Sequence, residues 1–166
     1  SAEDGEFWAR WLNDLEVALP LGDEAWQSIT PDTIRGSVGG NPHSFTIVTA
    51  SDGVPIGRCL LFGVNHVDRT ASIGLVIGDR RHWNQGLGGQ ALELLLEYAF
   101  NLLNLHSVML GACAFNSRAL ACYRRVGFRE VGRRRHARLI AGTYHDVVLM
   151  DLLAEEFTGQ LVRDRM

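Results

Sequence analysis

Hydrophobic and polar positions follow two different periods along this chain, which divides it into helices and strands. Apolar residues recur at helical spacing over residues 6–19, and Pro20 is expected to end that helix. A short helix is predicted to begin at Pro31, with Thr30 as its cap. From Ser44 onward, β-branched and apolar runs bounded by turn residues predict strands. The predicted strands are 45–50, 54–62, 70–77, 107–114, 128–139 and 145–153.

Two further helices are predicted between these strands. One begins at Gly86, where polar residues spaced three and four apart, among them Glu97, lie opposite an apolar face that includes Leu94. The other spans residues 116–126 and ends at Gly127, a left-handed cap. The resulting order is a helix followed by βββ-α-β-α-ββ, and its β-α-β step over residues 70–114 implies a parallel crossover. The sequence therefore predicts a mixed α/β sheet with helices on both faces, in a single domain over residues 1–166.

Composition narrows the classes of function. The net charge of −3 gives no general case for a nucleic-acid partner. All 16 basic residues are arginine, and the absence of lysine excludes a Walker-type phosphate loop and Schiff-base chemistry. The three cysteines are scattered among apolar neighbours, and no apolar run approaches the roughly 18 residues that span a membrane. We therefore expect a cytoplasmic protein with no membrane segment, no signal peptide and, since its histidines are isolated, no metal site.

A glycine-rich turn, Gln85-Gly86-Leu87-Gly88-Gly89, stands between a strand and a long helix. The first turn of a helix has unpaired N–H groups and a partial positive charge, and glycines let a phosphate approach them. The alternative is a glycine-rich entry loop that serves only the geometry of the chain. The run also fits the dinucleotide pattern G-x-G-x-x-A, but an eight-residue loop precedes it and His106 stands where an acidic residue is required. A dehydrogenase is therefore disfavoured.

The run from Val76 to Tyr123 resembles the GCN5-related N-acetyltransferase superfamily, and most closely its branch of ribosomal-protein N-terminal acetyltransferases and spermidine acetyltransferases. The family signature reads Trp83-Asn84-Gln85-Gly86-Leu87-Gly88 here, with Trp83 where a basic or amide residue is usual. Asn116, the pair Gly127-Phe128 and the segment 142–146 match later motifs of that branch. The family-like core spans about residues 44–157. We expect the first strand of the family to be missing at the N-terminus, either because the protein lacks it or because this sequence begins after it.

The resemblance implies an acetyl-CoA site in a cleft where two parallel strands, 70–78 and 107–114, splay apart. It implies that the end of the strand 70–78 holds the pantetheine arm. It also implies that residues 83–89 hold the pyrophosphate and that Asn116 binds a pantetheine amide. Tyr123 would act as the general acid that protonates the leaving thiolate. The cofactor-binding residues that the resemblance assigns are Val76, Ile77, Gly78, Trp83, Asn84, Gln85, Gly86, Leu87, Gly88, Gly89, Asn116, Ala119, Tyr123 and Arg125.

The predicted function is transfer of an acetyl group from acetyl-CoA to a primary amine, either a protein N-terminus or a small molecule, by a homodimer. The alternative is a catalytically silent acyl-CoA sensor, because relatives often carry a Glu on the third strand where this chain has Ser72. His66, Asp68, His82 or a chain of waters are the other candidates for a base, and the sequence does not choose among them.

Charged residues leave the acceptor open. The run 133–135 and Arg138 fit a solvated strand, an acidic substrate or the 3′-phosphate of the cofactor, for which Arg124 and Arg125 compete. On a strand, Arg133 and Arg135 share a face and Arg134 points away. A polyamine site requires a cluster of carboxylates. The acidic residues form no run in the sequence, although folding could gather some of them; examples are Asp14, Asp23, Glu24 and Asp32.

Overall fold

A computed structural model describes residues 4–21, 30–38 and 40–159 of the chain. Asp23 and Glu24 lie outside the described residues. The helices are α1 Asp4–Leu12, α2 Leu15–Leu21, α3 Pro31–Val38, α4 Leu87–Glu97 and α5 Ser117–Val126. The strands are β1 Ser44–Val48, β2 Pro55–Asn65, β3 Thr70–Ile77, β4 Ser107–Cys113, β5 Arg129–Ile140 and β6 Thr143–Leu153. Within these described ranges, no helix is long and apolar enough to cross a membrane.

The six strands form one mixed sheet in the order β1-β2-β3-β4-β6-β5. Its neighbours are antiparallel except β3 and β4, which confirms the predicted parallel step around α4. Helices cover both faces. Arg58 on β2 lies 4.4 Å from the ring centroid of Trp8 in α1, whereas the next residue, Cys59, belongs to the core that α4 covers. Because successive strand residues point to opposite faces, α1 and α4 lie on opposite sides of the sheet.

The two parallel strands separate soon after they begin. Only Thr70, Ala71 and Ser72 of β3 pair with β4, opposite Ser107, Val108 and Met109. Beyond that point β3 continues to Ile77 beside β2, and β4 continues to Cys113 beside β6. The predicted splay is therefore present, and it opens toward the carboxyl ends of both strands.

The N-terminal helix differs from its prediction. The expected single helix over 6–19 is two helices, because Asp14 starts a new one. The Oδ1 atom of Asp14 accepts a hydrogen bond from the amide of Glu16 at 3.0 Å, and its carbonyl accepts one from Val17 at 3.0 Å. Pro20 lies inside α2 rather than after it, and α2 ends one residue later. The cap of α3 agrees with expectation, since the amide of Thr33 donates to Oγ1 of Thr30 at 3.2 Å.

The face of α4 also differs from its prediction. Glu97, expected on the polar face, is 3% exposed, and Leu94, expected on the apolar face, is 60% exposed. The buried apolar residues of α4 are Ala91, Leu92, Leu95 and Leu96, so the face that packs on the sheet is centred away from Leu94 and includes Glu97, and a π-helical turn, Tyr98–Leu102, follows the helix. The Nδ2 atom of Asn101 in this turn donates a hydrogen bond to Oε2 of Glu97 at 2.7 Å, so the buried carboxylate is satisfied.

Gly57 lies where β2 and β3 approach each other closely, and its replacement tests that packing. A Cβ atom at this position would collide with the carbonyl oxygen of Val76 and lie 3.0 Å from Cα of Ile77, both of them backbone atoms. We expect Gly57→Ala to lower the free energy of unfolding by about 3 kcal/mol because the backbone must shift. The matched control is Gly132→Ala on β5, where a Cβ atom meets nothing within 4 Å. Urea denaturation checks both, and equal stability of the two variants would contradict the packing described here.

Candidate functional site

A cavity of about 690 Å³ occupies the splay between β3 and β4. Its walls are the second half of β3, most of β4 and the exposed start of α4. The cavity-facing side of α5 and parts of β5 and β6 complete it, and the end of α2 lies at its rim. Because neither strand pairs across the gap, the cavity follows directly from the sheet topology.

The glycine turn forms one wall of this cavity. Gly86 caps α4 in the left-handed conformation, with φ of 77°, which glycine adopts without strain. The first helical hydrogen bond runs from the amide of Gln90 to the carbonyl of Gly86 at 3.1 Å, so the amides of residues 87–89 precede it. A Cβ atom on Gly88 would lie 3.6 Å from Cγ1 of Ile77, in ordinary contact, and Gly88 and Gly89 carry no side chain of their own beside these amides. The turn therefore offers backbone donors to an anion.

Trp83 anchors the loop that leads into this turn. Its Nε1 atom donates a hydrogen bond to the carbonyl oxygen of Ile77, the last residue of β3, at 2.7 Å. The guanidinium carbon of Arg118 lies 3.5 Å from the centre of the Trp83 ring, a close cation–π contact. Sequence reasoning missed Arg118. The sequence does contain a signal for it, because spacing of i, i+4 and i+7 puts three residues on one face of α5: Arg118, Cys122 and Arg125.

Asn116 is the cap of α5. Its Oδ1 atom accepts a hydrogen bond from the amide of Ala119 at 3.2 Å, which satisfies a free donor in the first turn. Its Nδ2 atom donates to the carbonyl of Pro20 at 3.4 Å, which links α5 to the end of α2. The side chain thus makes two intramolecular contacts at the wall of the cavity.

Tyr123 lies deeper in the cavity and is 8% exposed. Burial raises the pKa of its hydroxyl to about 12, because the charged phenolate would lose hydration. Among the described residues its hydroxyl has no hydrogen-bond partner, so its proton is free to be donated to a ligand. The ring packs against Phe128, with centroids 6.1 Å apart.

The cavity gathers 13 of the 14 residues that sequence analysis assigns to a cofactor. The exception is Gly78. Its amide donates to the carbonyl of Ile56 at 2.8 Å, and a Cβ atom there would collide with the ring of Trp11. Gly78 therefore packs against α1 and is not among the residues that line the cavity.

The four candidate bases separate into two pairs. Ser72 and His82 line the cavity, whereas His66 and Asp68 lie in the exposed turn between β2 and β3. The Nδ1 atom of His82 is 3.3 Å from Oδ2 of Asp79. A hydrogen bond from Arg81 is the main cause that lowers the pKa of Asp79 to about 2, so this carboxylate stays charged beside the imidazole.

The arginines of β5 point in alternate directions, as a strand predicts. Arg134 and Arg138 line the main cavity, whereas Arg133 and Arg135 line a separate groove on the other face. Arg133 Nε donates to Glu130 Oε1 at 2.8 Å. Arg125 lines the main cavity from α5.

The chain matches the acetyltransferase (GNAT) domain family over residues 1–129. It is 29% identical to the spermidine N(1)-acetyltransferase of Escherichia coli K12, over 68% of this chain and 60% of that protein. It is 33% identical to a putative ribosomal N-acetyltransferase of Bacillus subtilis, over 66% of this chain and 59% of that protein. The chain thus spans about 60% of the length of these two curated relatives.

A solved structure supports the fold independently. The spermidine N-acetyltransferase of Vibrio cholerae, in complex with CoA and spermine, superimposes with a TM-score of 0.85. The superposition covers 96% of this chain and 95% of that one at 23% sequence identity. The mixed α/β sheet with flanking helices is therefore the fold that the sequence predicted.

The burial of Tyr123 predicts how the protein titrates with alkali. The chain has three tyrosines, and we expect one of them to ionise only near pH 12 and to disappear from the titration in Tyr123→Phe. Because this folded pKa lies above the ordinary value of about 10, the associated stability is full below pH ~10 and is lost as the pH rises toward 12. Ultraviolet absorbance of tyrosinate checks this. An unchanged titration in the variant would contradict it.

Proposed function

The chain belongs to the acetyltransferase (GNAT) domain family, and on that premise we propose that it transfers an acetyl group from acetyl-CoA to a primary amine. The observation that carries this proposal is the convergence of the glycine turn, the open edge of β3 and Tyr123 on one cavity. An anion site, an extended arm site and a proton donor are the three features that an acyl thioester and its transfer require.

The glycine turn fits the pyrophosphate of CoA. Free amides at a helix start, a partial positive charge and no Cβ atoms in the way together favour a diphosphate. Arg118 and Arg125 line the cavity on the adjacent face of α5 and supply guanidinium groups that bind phosphate oxygens. Trp83 replaces the usual basic or amide residue of the signature, and the guanidinium on its ring restores a positive charge to that position.

The open edge of β3 fits the pantetheine arm. After Ser72 the strand has no partner on its β4 side, so Val76 and Ile77 offer backbone groups to an extended ligand, as an added strand would use them. One carbonyl on this edge is already engaged, since Ile77 accepts from Trp83. The arm would run from the glycine turn toward Tyr123 along this edge.

Tyr123 fits the role of general acid. Bound acetyl-CoA would supply the acetyl thioester; the amine nitrogen attacks its carbonyl carbon, a C–N bond forms and the C–S bond breaks. The nitrogen gives its surplus proton to water, and the sulfur takes a proton from Tyr123. A pKa of about 12 keeps Tyr123 protonated and ready to donate. Transfer of the Tyr123 proton to a solvated thiolate, whose thiol has a pKa of about 8.5, would be unfavourable. Burial of the sulfur reduces the difference between the two pKa values, because burial raises the pKa of a thiol. The buried thiol of Cys59 shows this effect, since burial raises its pKa to about 11.

We further propose a cytoplasmic homodimer. None of the three cysteines forms a disulfide bond, which suits a reducing compartment. Leu139 and Tyr144 are cross-strand partners at the β5–β6 hairpin and are 60% and 58% exposed. A partner subunit that covered this pair would remove apolar surface from water.

Replacement of Tyr123 tests the chemistry. We expect Tyr123→Phe to bind acetyl-CoA with unchanged affinity but to release thiol at least about tenfold more slowly with an amine, which corresponds to about 1.4 kcal/mol of barrier. Tyr144→Phe is the matched control, because Tyr144 is 58% exposed and lies outside the cavity. Thiol release with a panel of amines measures both. Tight acetyl-CoA binding without release for any amine would instead favour the silent sensor.

Replacement of Gly88 separates phosphate binding from chain geometry. A Cβ atom on Gly88 makes only ordinary contacts of 3.6 and 3.8 Å, so Gly88→Ala should fold with equal or slightly higher stability. The methyl group would nevertheless obstruct the approach of a phosphate, and we expect the dissociation constant for acetyl-CoA to rise about tenfold. Calorimetry with a thermal melt checks both quantities. Unchanged affinity in a folded variant would mean that the glycine serves only the turn.

A further inference from the structure

The charge of the cavity is one-sided. Its charged side chains within the described parts of the chain are guanidinium groups, contributed by Arg118, Arg125, Arg134 and Arg138. No described Asp or Glu lines it, and neither Asp14 nor Asp32 is among its walls. A polyamine carries several ammonium groups and would meet repulsion in these surroundings. The lining that the structure describes is instead complementary to negative charge.

The four arginines form two groups at different places. Arg118 lies on the ring of Trp83, and Arg125 is one turn after Cys122, whose Sγ atom is 3.8 Å from the Cβ position of Gly89. This pair therefore adjoins the glycine turn and suits the phosphates of CoA. Arg134 and Arg138 come from β5, the edge strand of the sheet, which is separated from β3 by β4 and β6.

The register of the sheet locates the second pair. Arg134 is opposite Val147 on β6, and Val147 is opposite Cys113 at the end of β4, so the three form a row across the open end of the splay. Three strand spacings separate β5 from β3, or about 14 Å before the splay is added. The β5 pair is therefore well separated from the edge of β3 that suits the cofactor arm.

The charge on Arg134 is not neutralised nearby. It makes no ion pair with any described residue, whereas its sequence neighbour Arg133, and Arg124 on α5, both contact Glu130. The acid closest to it along β6, Asp146, lines the opposite groove and accepts a hydrogen bond from the amide of His136 at 2.9 Å. A guanidinium that faces a cavity without a protein counter-ion is a ready site for an anionic ligand.

We propose that the acceptor is a small primary amine that carries an anionic group, a carboxylate or a phosphate, which Arg134 and Arg138 bind. This inference rests on the proposed acetyl transfer. The same positive surroundings lower the pKa of the bound ammonium, because a like charge disfavours the protonated form. Binding of the anion thus brings the amine in and helps it lose the proton that blocks its attack.

The experiment compares amines that differ only in charge, at saturating acetyl-CoA. β-Alanine is paired with its neutral amide, phosphoethanolamine with ethanolamine, and putrescine represents a polyamine. We expect kcat/KM to be at least about tenfold higher for an anionic amine than for its neutral partner and for putrescine. Preference for the carboxylate or for the phosphate identifies which anion the site takes.

Variants on β5 link that preference to the arginines. We expect Arg134→Gln and Arg138→Gln to abolish the advantage of the anionic amine while the KM for acetyl-CoA stays unchanged. Arg134→Lys, which keeps the charge, should retain part of it. Arg135→Gln is the matched control, because Arg135 is on the same strand but lines the groove on the opposite face.

Three outcomes would overturn the inference. Putrescine could be the fastest substrate, the rates within each pair could be equal, or the KM for acetyl-CoA could rise in the β5 variants, which would assign those arginines to the cofactor.

If no amine is acetylated, the proposed activity fails, and the binding of an anionic ligand then tests the inference separately. Calorimetry on the CoA-loaded protein would compare N-acetyl-β-alanine with its amide. Binding of the acid alone, lost in Arg134→Gln, supports the anion site, and equal or absent binding overturns it.

Discussion

The separation of β3 from β4 after three residue pairs is the constraint on which the rest of the site depends. A parallel pair that continued would consume the backbone groups of both strands and close the gap between them. Since each strand turns instead to its antiparallel neighbour, the ladder on one side of each is complete and the other side stays open. The following loops then begin from two diverging ends, which places the start of α4 and the start of α5 on opposite walls of one cavity.

Two hydrogen bonds hold those walls in position. The indole of Trp83 closes the loop after β3 onto Ile77, and the amide of Asn116 joins the cap of α5 to Pro20. Trp83 and Asn116 both stand at positions of the family motifs, and each also makes an intramolecular hydrogen bond that positions the site. A sequence motif can assign such a side chain to a ligand, but it does not show that the same side chain shapes the site.

Much of the fold could be predicted because local signals and tertiary context agree. The bounds of β3 match the prediction residue for residue, since turn residues flank it, and Gly127 is the left-handed cap that was expected, with φ of 117°. Prediction was wrong where one residue overrides a periodic pattern. Asp14 begins a second helix inside an unbroken apolar stripe, and the face of α4 that is buried holds Leu92 and Leu96 rather than Leu94. The spacing of apolar residues encodes neither, because the first arises from a side-chain hydrogen bond and the second from where the helix meets the sheet. The positions of Arg134 and Arg118 in the cavity depend likewise on sheet register and on ring stacking.

The use of arginine rather than lysine in the cavity affects whether the protein can acetylate its own side chains. A lysine ammonium that loses its proton becomes a nucleophile and would take the acetyl group itself, whereas a guanidinium stays protonated and unreactive at any physiological pH. Every side-chain cation of this chain that holds its charge permanently is an arginine, including all four on the cavity wall. The protein can therefore surround a bound acyl donor with positive charge and present it with no side-chain amine of its own, so that acylation of a lysine does not compete with the incoming acceptor.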